Sequence, residues 1–213
     1  MTMRRVFWKQ FSLRGLFVLM TLACMLLGAW TVYVDPFRRQ YRSLTAIQRY
    51  PTELTIEPID GPVWQSWLVK AMVGEDAYVS VSAIEMRGAR IDDKAMQHVA
   101  GLNRLQSMTM EQTQVTDAGL AALRAMPELR TLSLTYSPIT DRGIAHLPTL
   151  PALRELKLTG TQITDSAVPE FKKFAALESL FIRWTRITNS GAEQMQRQNP
   201  TCAVYHETLA AGG

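Results

Sequence analysis

Residues 129–143, LRTLSLTYSPITDRG, are followed 24 positions later by residues 153–167, LRELKLTGTQITDSA. Both stretches carry Leu at the first, fourth and sixth positions and continue to the same Ile-Thr-Asp triplet. The 24-residue spacing also reaches Leu105 and Leu177 and, one period before Leu105, Val81. A fixed period of this length predicts a repeat protein, in which each unit buries its apolar face against a neighbouring copy.

The columns of the repeat predict a strand followed by a bend. Apolar residues at the fourth and sixth positions indicate a short strand with one buried face: Ile84/Met86, Met108/Met110, Leu132/Leu134, Leu156/Leu158 and Leu180/Ile182. A small hydroxyl at the ninth position is expected to turn inward and bond backbone groups where the strand ends: Thr113, Ser137, Thr161 and Thr185.

A helical segment is predicted in the second half of each unit. A Thr at the twelfth position (Thr140 is an example) is expected to cap it, with an Asp such as Asp141 at its positive end. Apolar residues then recur every three positions, and Pro127 and Pro151 are expected to end the helices before the next strand.

Residues 51–80 are expected to form an N-terminal cap, because a solenoid otherwise exposes an apolar end. We predict a strand at 53–59 and a helix at 61–74, and we expect the cap to bury Trp64 and Trp67. The repeats are expected to occupy residues 81–207, and residues 208–213 are expected to form a frayed tail.

Residues 1–50 are interpreted as a membrane anchor followed by a juxtamembrane helix. Residues 16–34 contain no charge, and an α-helix of that length spans roughly 28 Å, close to the thickness of a bilayer's hydrocarbon core. A single uncleaved transmembrane helix is the favoured interpretation; a cleaved signal peptide, a lipoprotein modified at Cys24 and a buried soluble helix are the alternatives. We expect a bacterial inner membrane location, with the C-terminal domain on the non-cytoplasmic side slightly favoured by the flanking charges.

The charge is concentrated in this N-terminal segment. Residues 1–50 hold eight basic residues and Asp35 and carry a net charge of +7, so the other 163 residues carry −3. The repeats therefore have no charge that would favour nucleic acid. The two cysteines, Cys24 and Cys202, lie far apart in the sequence and imply no disulfide framework.

No catalytic or metal site is predicted. The recurring Asp column is explained by helix capping, and the three histidines occupy different repeat phases: His98, His146 and His206. Cys202 has no candidate base nearby in sequence, and the chain contains no nucleophile-elbow, phosphate-loop or dinucleotide motif. We therefore expect a protein that is not an enzyme and has no cofactor.

The strand face is the candidate partner-binding surface. Its outward positions are mostly small and polar, but aromatic and Arg side chains gather near the C-terminus. Tyr136 and Trp184 share one column with Gly160 between them, and two strand spacings would place their rings about 10 Å apart over a notch. Aromatic and Arg side chains are typical interface anchors. The alternative is that the rings lie flat and cover the core. The hypothesised site contains Tyr136, Lys157, Phe181, Arg183, Trp184 and Tyr205.

The pattern L-x-x-L-x-L-x-x-T-x-I-T-D resembles the leucine-rich repeat, in its cysteine-containing-like subclass. Together with FSLRGLFVLMTLACMLLGAW, GPVWQSWLVKAMVGEDAY and a closing CAVYH, it makes the chain similar to small membrane-anchored leucine-rich-repeat proteins of planctomycete-type bacteria. The subclass also occurs in ubiquitin-ligase subunits, but this chain has no F-box. Copy one departs from the pattern at Asp92, and copy five departs at Asn189.

The resemblance implies an α/β leucine-rich-repeat solenoid of five 24-residue strand–helix units, with an N-terminal cap and a single transmembrane helix. It brings no catalytic residues. The expected function is that of a tethered module that binds a protein or peptide. The alternatives are a self-associating envelope protein, which would be a homo-oligomer, and a non-catalytic accessory subunit of an enzyme.

Overall fold

The computed structural model describes residues 24–25, 27–28, 30–59, 62–74 and 78–206. In this part of the chain one seven-stranded sheet follows the order of the sequence, and helical segments connect its strands. The strands are β1 (Thr52–Pro58), β2 (Val79–Arg87), β3 (Ser107–Glu111), β4 (Thr131–Ser133), β5 (Glu155–Lys157), β6 (Ser179–Phe181) and β7 (Ala203–Tyr205).

The strands from β2 to β7 are parallel, and each from β3 onward lies in register with the strand 24 residues earlier. Leu132, for example, pairs with Met108 on one side and with Leu156 on the other. The same spacing joins Ile84 to Met108 and Leu180 to Val204. The mostly parallel sheet confirms the α/β solenoid architecture that the period predicts.

The helical segments lie between consecutive parallel strands, as expected. They are α3 (Asp93–Val99), a 3-10 helix (Gly119–Ala125), α4 (Asp141–His146), a second 3-10 helix (Asp165–Lys173) and α5 (Asn189–Gln198). Two of the five are 3-10 helices, whose three residues per turn suit the three-residue spacing of the apolar positions.

The repeating apolar columns form one continuous core. The fourth-position and sixth-position side chains from β2 to β6 are at most 2% exposed, and the eleventh-position Ile and Val residues are buried with them. The ninth-position hydroxyls are also buried: Thr161 and Thr185 donate to the carbonyls of Leu158 and Ile182 at 2.7 and 2.8 Å. This confirms the predicted bend at the strand end.

The Asp column joins neighbouring units, a role that the sequence interpretation missed. Asp141 accepts hydrogen bonds from the backbone amide and the hydroxyl of Thr164 in the next unit, both at 2.6 Å. Thr164 in turn accepts from the amide of Ser166 and so caps its own helix, as predicted. We call this arrangement the Asp–Thr ladder; its pairs are Asp93–Thr116, Asp117–Thr140, Asp141–Thr164 and Asp165–Thr188.

The two departures from the repeat pattern lie at the ends of the ladder. Asp92 stands where later copies have Thr, and it caps α3 by accepting from the amides of Lys94 and Ala95. At the other end Asn189 replaces Asp, and in the described part of the chain no further strand–helix unit follows β7.

The N-terminal end is covered by β1, which pairs antiparallel with β2, and by the helix α1 (Asp35–Ile47). Leu44 and Ile47 of α1 belong to the main core, so α1 is packed onto the repeats. The predicted cap helix forms as α2 (Val63–Val73), but its expected burial is wrong for Trp67, which is 70% exposed. The side chain of Trp64 lies outside the described part.

The predicted transmembrane helix at 16–34 lies for the most part outside the described residues, and so does the tail 208–213. Among the helices of the described ranges, none is long and apolar enough to cross a bilayer. Cys24 is exposed and Cys202 is buried, and both are free thiols.

Candidate functional site

The eighth position of each unit has a left-handed backbone. Here φ is +96° at Gly88, +54° at Gln112, +54° at Tyr136, +70° at Gly160 and +54° at Trp184. This conformation is uncommon for a bulky residue and costs on the order of 1–3 kcal/mol. Glycine would relieve that cost, so the aromatic rings at two of these positions are retained at some expense to stability.

A hydrogen bond at the strand end holds this conformation. The amide of Tyr136 donates to the carbonyl of Thr159 at 2.9 Å, and the amide of Gly160 donates to the carbonyl of Arg183 at 2.9 Å. The amide of Gly88 makes the equivalent bond to Glu111. At these positions the left-handed residue thus adds one bond between units beyond the strand.

Tyr136 and Trp184 form a stacked pair rather than the walls of a notch. Their ring centroids are 6.0 Å apart and their planes differ by 24°, so the expected separation of about 10 Å is wrong. The missing side chain of Gly160 allows this approach, since a Cβ there would lie 2.3 Å from Cδ1 of Tyr136. The rings close over the glycine while Tyr136 stays 42% and Trp184 46% exposed.

A second stack runs along the fifth column of the strand face. The rings of Phe181 and Tyr205 are parallel within 8°, with centroids 4.5 Å apart. Lys157 extends the stack, with its Nζ 5.5 Å from the Phe181 centroid, and it also pairs with Glu155 at 3.0 Å. The column therefore presents a cation and two stacked rings, of which Tyr205 is 47% exposed.

The structure brings the predicted site residues onto the fifth, seventh and eighth columns of the C-terminal half of the sheet. Arg183 is exposed at the seventh position, between the column of Phe181 and that of Trp184. Three residues along a strand separate those columns, which corresponds to about 10 Å. We call this surface the aromatic face; it contains Tyr136, Lys157, Phe181, Arg183, Trp184 and Tyr205.

The other end of the same sheet has a different character. There Arg87 pairs with Glu85 at 3.3 Å and with Glu111 at 3.5 Å, and no aromatic side chain occupies the equivalent fifth, seventh or eighth positions of β2 and β3. The strand face thus changes from charged and polar to aromatic along one solenoid.

Other groups offer little chemistry. Within the described ranges, no group of three or more His, Cys, Asp or Glu residues is arranged to hold a metal. Burial raises the pKa of the Cys202 thiol, which opposes formation of the nucleophilic thiolate. An apolar crevice beside Leu177, Leu180 and Cys202 has a volume of about 20 Å3, room for about one water molecule.

Lys173 links the helical segments of two neighbouring units. Its Nζ donates to the carbonyls of Ile144 and Ala145 at the end of α4, where a cation is favourable. Burial lowers the pKa of Lys173, and the nearby carboxylate of Glu170 opposes that effect. This contact belongs to the architecture of the solenoid and lies apart from the aromatic face.

Comparisons with known proteins give a limited picture. No protein-family model and no curated protein matches the sequence. Among solved structures 60 chains match, and one of them is an internalin (inlF) from Listeria monocytogenes, at 16% sequence identity and a TM-score of 0.39. The alignment covers 59% of this chain and 43% of the internalin, so the chain spans less than half of that structure's length.

Proposed function

We propose that this protein is a membrane-tethered interaction module whose aromatic face binds a protein or peptide. The observation that carries the proposal is the pair of exposed stacks, Tyr136 on Trp184 and Lys157 on Phe181 and Tyr205. Both stacks stand on a sheet fixed by the core, so the rings are ordered before a partner arrives.

This arrangement suits recognition of a polypeptide. Stacked rings lose little side-chain freedom on binding and offer large apolar area, while tyrosine hydroxyls can bond a partner's backbone. Aromatic and Arg residues dominate the binding energy of many interfaces, and Arg183 with Lys157 adds positive charge beside the rings. A partner segment with apolar side chains and a carboxylate would be complementary to this surface.

The tether is supported by the sequence rather than by the folded part. The uncharged residues 16–34 are long enough to cross a bilayer, and a single-pass position in the bacterial inner membrane follows from that interpretation. The flanking charges slightly favour the repeats on the non-cytoplasmic side. Protease treatment of intact and opened spheroplasts, with detection of a C-terminal tag, would test the orientation.

The binding proposal is tested by cross-linking and affinity capture from native membranes. The variants Trp184→Ala and Phe181→Ser each remove a ring from one stack. Gln112→Ala is the matched control for the first, because it shares the eighth column and its φ of +54°; Thr109→Ser is the control in the fifth column.

The two ring variants should lose the captured partners while the controls retain them and all four proteins keep the same circular dichroism spectrum. Undiminished capture by both ring variants would refute the proposed surface. Capture of nothing but further copies of this chain would instead favour a self-associating structural protein.

A further inference from the structure

The helix α2 is apolar on the side that faces away from the protein. Its residues Val69 and Val73 turn inward, and Val69 packs with Phe37 of α1 and with Tyr78. On the opposite side Val63 is 85%, Trp67 70% and Met72 56% exposed. Ala71 is also exposed there, and Lys70, seven positions after Val63, is an exposed cation at the edge of this face.

Such a helix is expected to be covered on both sides. Surface helices of soluble domains place polar residues outward, whereas helices that are apolar all round are found in cores or membranes. In α2 this arrangement of polar and apolar residues is partly reversed, since the polar side chains of Gln65 and Ser66 are half-buried while Trp67 is exposed. An exposed tryptophan between a valine and a methionine indicates a missing partner.

The position of α2 in the fold indicates what that partner is. The contact with Phe37 places α2 beside the start of α1, three residues after the predicted span ends at Val34. Three residues of helix rise about 5 Å, so α2 lies at the level of the bilayer surface if residues 16–34 span it. The repeats join α1 at Leu44 and Ile47, which lie roughly 10 and 15 Å beyond Phe37 along the helix.

The exposed surface around this point fits a lipid boundary. Met25, Leu27 and Val32 precede α1 and are 71%, 65% and 63% exposed. Directly after them, residues 35–50 carry four arginines and one aspartate, a net charge of +3. Exposed Arg38 and Arg42 lie about 6 and 12 Å beyond Val34, at the depth of the phosphate groups.

We infer that α2 is an interfacial helix that inserts Val63, Trp67 and Met72 into the surface of an anionic phospholipid bilayer, with the arginines of α1 on the headgroups. The inference rests on the proposed membrane tether and adds a second contact to it. Tryptophan favours the interfacial layer, and insertion there would remove the exposed apolar side chains of α2 from water. Two contacts fix the orientation of the repeats and direct the aromatic face relative to the membrane.

Spin labels on the full-length chain test this directly. The protein is reconstituted in vesicles of phosphatidylcholine and phosphatidylglycerol, with Cys24→Ser as background and the buried Cys202 left in place. Single labels are introduced by Val63→Cys and Met72→Cys, and Gln194→Cys provides the control on the exposed surface of α5 at the far end. A fourth sample carries the label at the native Cys24. Accessibility to oxygen and to a water-soluble nickel complex is measured on both sides of the membrane.

The labels at 63 and 72 should favour oxygen over nickel several-fold relative to the label at 194. Equal ratios at all three sites would overturn the inference, and so would shielding from both reagents, since that indicates a protein cover. A lipid-type ratio at 24 with water-type ratios at 63 and 72 would leave the tether intact and reject the interfacial helix. Lipid-type ratios at 63 and 72 with a water-type ratio at 24 would reject the tether and keep the interfacial helix.

The role of the arginines is tested with vesicles that lack phosphatidylglycerol. The ratio of oxygen to nickel accessibility at 63 should then fall, and an unchanged ratio would show that the arginines do not contribute to the membrane contact.

Discussion

The Asp–Thr ladder and the aromatic face repeat with the same period, yet they differ in how faithfully they do so. The ladder pairs are nearly identical from unit to unit, with distances between 2.6 and 2.9 Å. The fifth and eighth columns change from Thr109 and Gln112 in one unit to Phe181 and Trp184 in another. A contact that joins neighbouring units must be the same in every unit, whereas a binding surface gains selectivity from residues that differ between units.

The largest effect is expected when the ladder is cut. Asp141→Ala leaves the amide and hydroxyl of the partly buried Thr164 without their charged acceptor, so the free energy of unfolding should fall by about 2–3 kcal/mol. Denaturation followed by circular dichroism measures the loss. The control Asn189→Ala changes the same column in the last strand–helix unit of the described residues, and it should cost less than about 1 kcal/mol. Equal losses in the two variants would contradict the ladder.

Gly160→Ala tests the aromatic stack through its backbone. A Cβ would approach Tyr136 to 2.3 Å and must displace the ring, and the left-handed φ of +70° adds strain. We expect a loss of about 2 kcal/mol, of which the displaced stack contributes about 1. Gly88→Ala carries the same kind of strain with nothing within 4 Å, so it should cost about 1 kcal/mol. If both variants lose the same stability, the stack contributes nothing.

Trp184→Gly should separate stability from binding. Glycine relieves the strain of a left-handed tryptophan while the stack with Tyr136 is lost, and the two effects should leave a net change below about 1 kcal/mol. Affinity for the captured partner should fall about tenfold or more. Calorimetry measures the first quantity and titration of the partner the second. A large loss of stability with unchanged affinity would make Trp184 a structural residue.

The smallest effect is expected at an ion pair between units on the surface. Arg154 and Glu178 are both 60% exposed, so solvent screens their attraction. Glu178→Gln should lower the free energy of unfolding by less than about 0.5 kcal/mol, measured by the same denaturation. A loss comparable to that of Asp141→Ala would mean that exposed pairs, too, act as joints.

Much of the fold could be predicted because residues that lie one repeat period apart in the sequence are paired in neighbouring strands of a solenoid. Once Leu132 and Leu156 are recognised as equivalent, their pairing in neighbouring strands follows. The Asp–Thr ladder was missed because Thr140 and Asp141 are adjacent in sequence, which suggests a single local cap. The departure at Asn189, in the last strand–helix unit of the described residues, was the available clue.

The geometry of the site could be predicted less well. The position of Trp184 and Tyr136 in one column follows from spacing, but their separation depends on ring torsions and on Gly160, which a strand spacing does not describe. The exposure of Trp67 was missed because a helix beside an apolar core is expected to turn its aromatic rings towards that core.

The stack over Gly160 also limits how this protein could change in length. A whole 24-residue block could be duplicated or deleted without breaking the Asp–Thr joints, because each joint recognises just its neighbour. A block inserted between Tyr136 and Trp184 would part the two rings by another strand. The Asp–Thr hydrogen bonds permit any number of 24-residue units, and the Tyr136–Trp184 stack fixes how many units separate its two rings.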